Sequence, residues 1–212
     1  MIFLSSKNVF PPPEEADEDG LLCMGGDLSE ERLLVAYRNG IFPWYDGDTP
    51  LWWNPDPRFV IFPEELKVSK SMKQVLKRND FTFTRNQDFL QVIRNCQHAK
   101  RKDQDGTWIN EDVIQAYHRL HLSGYAVSYE AWQQKELVGG FYGIKMGRVF
   151  FGESMFSKVS NASKATFITA VGQMINESIQ LIDCQVYTPH LESLGARMID
   201  RDDFLGLLKE LI

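Results

Sequence analysis

Cysteine is scarce in this chain and badly placed for pairing. Cys23, Cys96 and Cys184 are odd in number and lack CxxC spacing, which excludes a disulfide framework and argues against a zinc site. A reducing compartment is the simpler home. Histidine offers little more: among His98, His118, His121 and His190 only His118 and His121 stand at helical spacing, so no metal is expected and no cofactor is implied. No apolar run is long enough to span a bilayer. The opening MIFLSSKNVFPPPEE lacks the basic and small-residue flanks of a signal peptide, and the cytoplasm is the expected location. Positive charge is also in the minority, 23 Lys and Arg against 29 Asp and Glu, a net charge of −6. That speaks against indiscriminate nucleic-acid binding but leaves room for a local basic face.

What is present is ordinary for a globular protein: 43% hydrophobic and 25% charged residues over 212 positions, enough for one large domain or a domain with a small companion. Residues 1–20, rich in Pro and acid, read as an arm without regular structure. Asp27 and Glu30 resemble a capping box opening a helix with Leu33, Leu34 and Tyr37 inward and Gly40 as its C-cap. Trp44, Trp52 and Trp53 crowd a Pro-rich stretch, either as the core of a small domain or as a stacking surface. The segment LKVSKSMKQVLKR follows, with Lys70, Lys73 and Lys77 on one helical face and Met72, Val75 and Leu76 on the other. That is a solvated amphipathic helix or a contact for an anion. A second basic cluster, His98 to Lys102, sits in a polar loop. Further on come a short strand with Phe81 and Phe83, a helix capped by Asn86 and another by Asn110, three strands at 125–132, 137–144 and 148–156, and a helix near 161–178. The strand LIDCQVY, a turn or short helix, and a last helix end the chain. This pattern indicates an α+β fold, divided at 1–62 and 63–212.

The stretch from 148 to 185 carries the chemistry. Glu153 and Asp183 interrupt strands that are otherwise apolar, and a carboxylate there must find partners or change its pKa. An edge strand facing water would also accept one such acid. Two of them, with Gln185 beside the second, point to a polar site in an apolar wall. Strand alternation puts Asp183 and Gln185 on one face and Cys184 on the other, which makes Cys184 a packed core residue and not a nucleophile. The loop SKVSNASK leads into a helix N-terminus suited to an anion, with Ser160 or Asn161 as its cap. It has no glycine, unlike the pyrophosphate cradle of an acetyl-CoA-dependent acetyltransferase.

The blocks GGDLSEERLLVAYRNGIFPW, LWWNPDPR, SKSMK, GTWI, ELVGGFYG, FFGESMFS, LIDCQ and SLGA together resemble leucyl/phenylalanyl-tRNA–protein transferases, from about Phe10 to Leu211. The resemblance implies a small N-terminal domain beside a larger GNAT-like mixed α/β domain. It implies an aminoacyltransferase acting as a monomer, moving Leu or Phe (Met less well) from aminoacyl-tRNA to proteins beginning with Arg or Lys, in the N-degron pathway of protein degradation. Carried onto this chain, it makes Gln185, Asp183 and Glu153 the catalytic group. Trp44 and Trp108 become contacts for the aminoacyl-adenosine end, and Ser154 a substrate contact. Phe141, Phe150 and Ile182 line a pocket for the transferred side chain. Lys67, Lys70, Lys73, Lys77 and Arg78 become the tRNA backbone contact. Simple alternation sets Phe150 and Glu153 on opposite faces, so a bulge near Gly152 is expected. Thr188 departs from the family pattern, which has Asn there.

Overall fold

A computed structural model describes residues 2–5, 7–99 and 107–212; Lys100 to Lys102 of the second basic cluster lie outside the described residues. Two sheets organise the described residues. The first has four short strands in the order β1-β2-β4-β3: β1 (Ile2–Leu4), β2 (Leu21–Gly25), β3 (Phe42–Pro43) and β4 (Leu51–Trp53). The arm expected to lack regular structure therefore supplies a strand. Ile2 to Leu4 pair in parallel with Cys23 to Gly25, and backbone groups of Ser5 and Lys7 accept from the buried Arg32 guanidinium.

The second sheet has seven strands. Its members are β5 (Arg58–Ile61), β6 (Thr82–Arg85), β7 (Ala126–Gln133), β8 (Glu136–Met146), β9 (Val149–Ser157), β10 (Leu181–Gln185) and β11 (Arg197–Ile199), in the order β11-β5-β10-β9-β8-β7-β6. Its centre is the expected three-strand meander, β7 to β9. Strand β5, just before the expected division at 62/63, pairs with β10 and β11 of the large sheet, because Phe59 and Ile61 alternate with Val60 to fill both of its faces.

Among the described residues seven α-helices cover this frame: α1 (Glu30–Arg38), α2 (Lys70–Lys77), α3 (Phe89–Gln97), α4 (Glu111–Leu122), α5 (Ala162–Asn176), α6 (Pro189–Glu192) and α7 (Arg201–Leu211). Side chains from α1, α3, α4 and α7 pack with Val60, Tyr142, Phe151 and Leu181 on one face of the large sheet. Residues of α2 and α5 pack with Phe59, Phe141, Phe150 and Ile182 on the other. The period-2 alternation of apolar residues along β5, β9 and β10 is what lets one sheet serve two cores.

Helix starts differ in detail from the sequence reading. Ser29, not Asp27, caps α1 by accepting from Arg32 N, while Asp27 accepts from Ser29 N. Asp88 caps α3, and Asn86 accepts instead from Ser128 N in the adjacent strand. Asn110 caps α4 as expected. Asn161 precedes α5 in a left-handed conformation without a side-chain cap bond, and Ser157 Oγ accepts from Ser163 N in its place. A cap is a choice among several short polar residues within two or three positions, and sequence spacing does not rank them.

The meander is closed by a close approach at Gly143. A Cβ there would stand 2.1 Å from Phe151 O and 2.5 Å from the Phe150 ring. Gly143→Ala should destabilise the chain by about 1–3 kcal/mol or more, as overpacking does, and urea denaturation of the two proteins measures it; an unchanged midpoint would contradict this packing.

Candidate active site

The site forms where β9 and β10 stop pairing. Their parallel ladder runs only from Leu181–Val149 to Asp183–Phe151, and both strands become irregular immediately beyond. In β9, Gly152 pairs with Gly143 and Ser154 with Tyr142, so Glu153 is the extra residue of a β-bulge, at the position where one was expected. In β10, Asp183 pairs with Val60 and Gln185 with Phe59, with Cys184 between them unpaired. Gln185 takes a φ of 65°. These two irregularities turn Glu153 and Gln185 toward one another across the gap between the strands.

A cavity of about 410 Å³ occupies that gap. Phe141, Phe150, Phe167 and Ile182 give it an apolar wall, while Glu153, Ser154, Gln185 and Thr188 supply its polar groups. Cys184 lines it too, which corrects the expectation that Cys184 would face away. Alternation fails there because the strand skips a residue in its register with β5.

Glu153 is partly buried and fully engaged. Its Oε1 accepts from Tyr37 Oη at 2.7 Å and from Gln185 Nε2 at 3.1 Å, and its Oε2 is hydrogen-bonded to Tyr117 Oη at 2.9 Å. Burial, the largest influence, and the charge of Asp183 raise its carboxyl, while the tyrosine and glutamine donors pull it back; the balance stands at about 7. The same burial, with Glu153 beside them, pushes the Tyr37 and Tyr117 phenols well above their ordinary value.

Asp183 is differently disposed. It is sealed from solvent and held by Arg58, whose Nε donates to Oδ1 at 2.8 Å and Nη2 to Oδ2 at 2.7 Å. Oδ1 also accepts the backbone N–H of Gln185 at 2.9 Å. With both oxygens engaged, Asp183 acts on the site through the backbone of Gln185. Arg58 itself lies between the rings of Phe42 and Phe204, 4.7 and 4.6 Å from their centroids.

The remaining candidates lie at differing removes. Trp44 is exposed, packs against the tilted ring of Trp53 with centroids 5.7 Å apart, and does not line the cavity. Trp108 is buried and stands edge-on to Tyr117 at 6.5 Å, one residue behind Glu153. Lys67, Lys70, Lys73, Lys77 and Arg78 are all exposed along α2 and its flanks, with Met72 and Val75 buried beneath them; Arg78 pairs with Asp80 at 3.3 Å. Thr188 caps α6 through Leu191 N. Sequence reasoning did not reach Tyr37, Tyr117 or Arg58 as site residues. Tyr37 reads as an inward apolar position and Tyr117 falls on the apolar stripe of the helix capped by Asn110, yet a buried tyrosine hydroxyl needs a partner, and that was the available signal. An arginine opening the apolar strand RFVI was another.

Comparison with known proteins gives a consistent result. A family model described as leucyl/phenylalanyl-tRNA protein transferase matches residues 60–209, and the model of the same family's N-terminal domain matches residues 26–56. The two matches divide beside the start of β5. A leucyl/phenylalanyl-tRNA–protein transferase from Flavobacterium johnsoniae is 54% identical over 210 residues, covering 99% of this chain and 99% of its own. Proteins of that name from Christiangramia forsetii and Pseudomonas aeruginosa are 54% and 52% identical, over 98% and 94% of this chain and 100% and 89% of theirs. Among solved structures, a GCN5-related N-acetyltransferase from Kribbella flavida superposes with a TM-score of 0.42 at 9% identity, over 78% of this chain and 59% of that one.

The buried ion pair generates a direct test. Arg58→Met strands the Asp183 charge and should cost roughly 3–5 kcal/mol. Adding Asp183→Leu should recover much of that loss while leaving Gln185 without its anchor. Denaturation midpoints of the three variants decide it, and an Arg58→Met protein as stable as the parent would show that the pair is not under strain to stay matched.

Proposed function

We propose that this chain, which belongs to the leucyl/phenylalanyl-tRNA–protein transferase family, moves Leu or Phe, and Met less well, to the N-terminal α-amine of proteins beginning with Arg or Lys. Family membership makes it an enzyme that transfers an aminoacyl group from tRNA to protein. The finer reading places it in the cytoplasm, as a monomer, marking acceptors for degradation in the N-degron pathway. Among the described residues no helix is long and apolar enough to cross a membrane.

The observation that carries this reading is the meeting of an apolar cavity with the Glu153–Gln185 hydrogen bond. Aminolysis of an aminoacyl ester requires a pocket for the side chain beside polar groups at the reacting carbonyl. Phe141, Phe150 and Ile182 would take the Leu or Phe side chain. The shape of such a pocket discriminates by only about 1–3 kcal/mol per methylene, in keeping with tolerance of two or three donors. An α-amine has a pKa of about 7.7–8.0, so a useful fraction is already neutral and modest base assistance suffices. Most of the acceleration then comes from holding amine and ester in attack geometry.

In this scheme Gln185, fixed through its backbone by Asp183, positions the acceptor amine with its amide oxygen. Glu153 anchors the terminal ribose or that amine. Ser154 contacts the substrate nearby. Trp44, exposed and backed by Trp53, stacks on the terminal adenosine, and Trp108 supports that end through Tyr117. The positive row on α2 meets the tRNA backbone, where contacts position without reading sequence.

Transfer of radiolabelled Phe from Phe-tRNA to paired peptides beginning with Arg or Asp tests the whole reading. Label is expected on the Arg peptide alone, and Gln185→Ala should lower it at least tenfold; label on neither peptide, with charged tRNA still bound, would overturn the assignment. Replacing Lys70, Lys73 and Lys77 by Gln should weaken tRNA binding and flatten its log–log salt dependence by roughly 2 to 3. An unaltered slope would remove α2 from the tRNA interface.

A further inference from the structure

Glu153, Tyr37 and Tyr117 form a closed triangle. Each hydroxyl reaches one carboxyl oxygen, at 2.7 and 2.9 Å, and the two hydroxyls are hydrogen-bonded to each other. Three O···O hydrogen bonds need three protons. The tyrosines bring two and keep them, since burial and the neighbouring acid hold both phenols far from ionising. With Glu153 ionised, both hydroxyls would donate to the carboxylate, and their own close contact would set lone pair against lone pair. A third proton on Glu153 satisfies every contact. Oε2–H donates to Tyr117, Tyr117 donates to Tyr37, and Tyr37 donates to Oε1, which accepts from Gln185 as well.

The surroundings favour that state. Tyr142 on β8, Cys184 on β10 and His190 on α6 line the same cavity. Burial and Lys164 lower His190, and burial raises Cys184, so neither is charged at neutral pH. Asp183 is the nearby anion, already matched by Arg58 on β5, and its field disfavours a second negative charge.

We propose that Glu153, buried against an apolar wall, is held as a neutral carboxylic acid in the substrate-free site, that Tyr37 and Tyr117 are positioning residues which close the hydrogen-bonded ring around its proton, and that this acid protonates the departing ribose oxygen. The second clause rests on the transfer reaction argued above. That reaction forms a C–N bond at the ester carbonyl and breaks the bond from carbonyl carbon to ribose oxygen. The oxygen leaves with the bonding pair and takes the Oε2 proton; the resulting carboxylate takes the proton that the attacking nitrogen gives up. Glu153 ends as it began, and no external acid or base is consumed.

The proton is tested first in the full chain without tRNA, by infrared difference spectroscopy with carboxyl-labelled glutamate. A protonated-carboxyl band is expected at pH 6, titrating away near pH 7 and missing from Glu153→Gln. Only carboxylate at pH 6 would overturn the proposal. Folding stability gives an independent reading. The folded state keeps a proton that the unfolded chain releases near its ordinary value of 4.5, so wild-type stability relative to Glu153→Gln should fall as pH rises from 4.5 to about 7. A flat difference would count against it.

Kinetics then test the tyrosines. Opening a ring once breaks it, so Tyr37→Phe and Tyr117→Phe should each lower kcat about tenfold with little change in KM, and each should move the alkaline limb of the pH profile. The double variant should be no worse than the poorer single. Multiplying losses, or lower melting temperatures with the pH profile unmoved, would reduce the tyrosines to separate structural contacts. Absence of transfer by the wild type would overturn the proposed function and the leaving-group step, while the infrared band would still report on the shared proton.

Discussion

A single buried ion pair, Arg58 with Asp183, fixes the geometry on which the rest of the site depends. Neither side chain reaches solvent. Taking two charges from water is costly, and an apolar pair of similar volume often does as well for stability, so the value of this pair lies in what it holds in place. The guanidinium is clamped between Phe42 of the small sheet and Phe204 of the C-terminal helix. Asp183 is thereby tied to both ends of the chain, and it passes the constraint on through the Gln185 N–H. A left-handed φ at a residue other than glycine costs energy. Gln185 keeps it because that N–H bond and the register skip at Cys184 leave it no other course.

The same logic explains why the cavity lies at this place in the sheet. A continuous parallel ladder between β9 and β10 would seal the gap with backbone hydrogen bonds. Ending it after Asp183 and Phe151 leaves peptide groups and side chains free to face a ligand, at the cost of local disorder in the ladder. The bulge resolves a conflict written into β9. Phe150 must face α5 for the apolar wall, Phe151 must face the opposite core, and Glu153 must reach two tyrosines beyond it. One extra residue satisfies all three.

Much of the fold was legible because periodicity reports burial. The meander, α5 between β9 and β10, and the amphipathic α2 follow from apolar spacing. So does the suspicion that acids inside such strands mark a site. The conflict between Phe150 and Glu153 even required the bulge. What spacing could not convey was partnership across the sequence. Tyr37 and Tyr117 each fit an apolar stripe, and only the fold brings them 116 and 36 residues along the chain to one carboxylate. Arg58 is 125 residues from Asp183. Residues 2–4 became a strand because β2 offers an open edge, a tertiary opportunity that local composition does not record. Cys184 defeated the alternation rule for a related reason: alternation assumes an unbroken ladder, and functional strands break theirs.

Charge is distributed across the molecule in a way that suits the chemistry assigned to it. With a net charge of −6, the protein repels a polyanion in general and can admit it only where cations gather. They gather on the exposed face of α2, whose apolar side is packed on the large sheet's second core. The cavity carries no such charge. Asp183 at its edge is ion-paired with Arg58, and Glu153 sits among hydroxyls and an amide. On the proposed reading, phosphates are met at one surface and the uncharged ester at another, so long-range attraction would draw the donor in without a field at the reacting carbonyl that would hold the ammonium form of the amine. That separation matters because an amine attacks only when neutral. A free carboxylate at the reacting centre would stabilise its protonated form and slow the reaction it is meant to serve. An acidic side chain kept neutral by burial, its proton held in place by two tyrosine hydroxyls, is compatible with the attack.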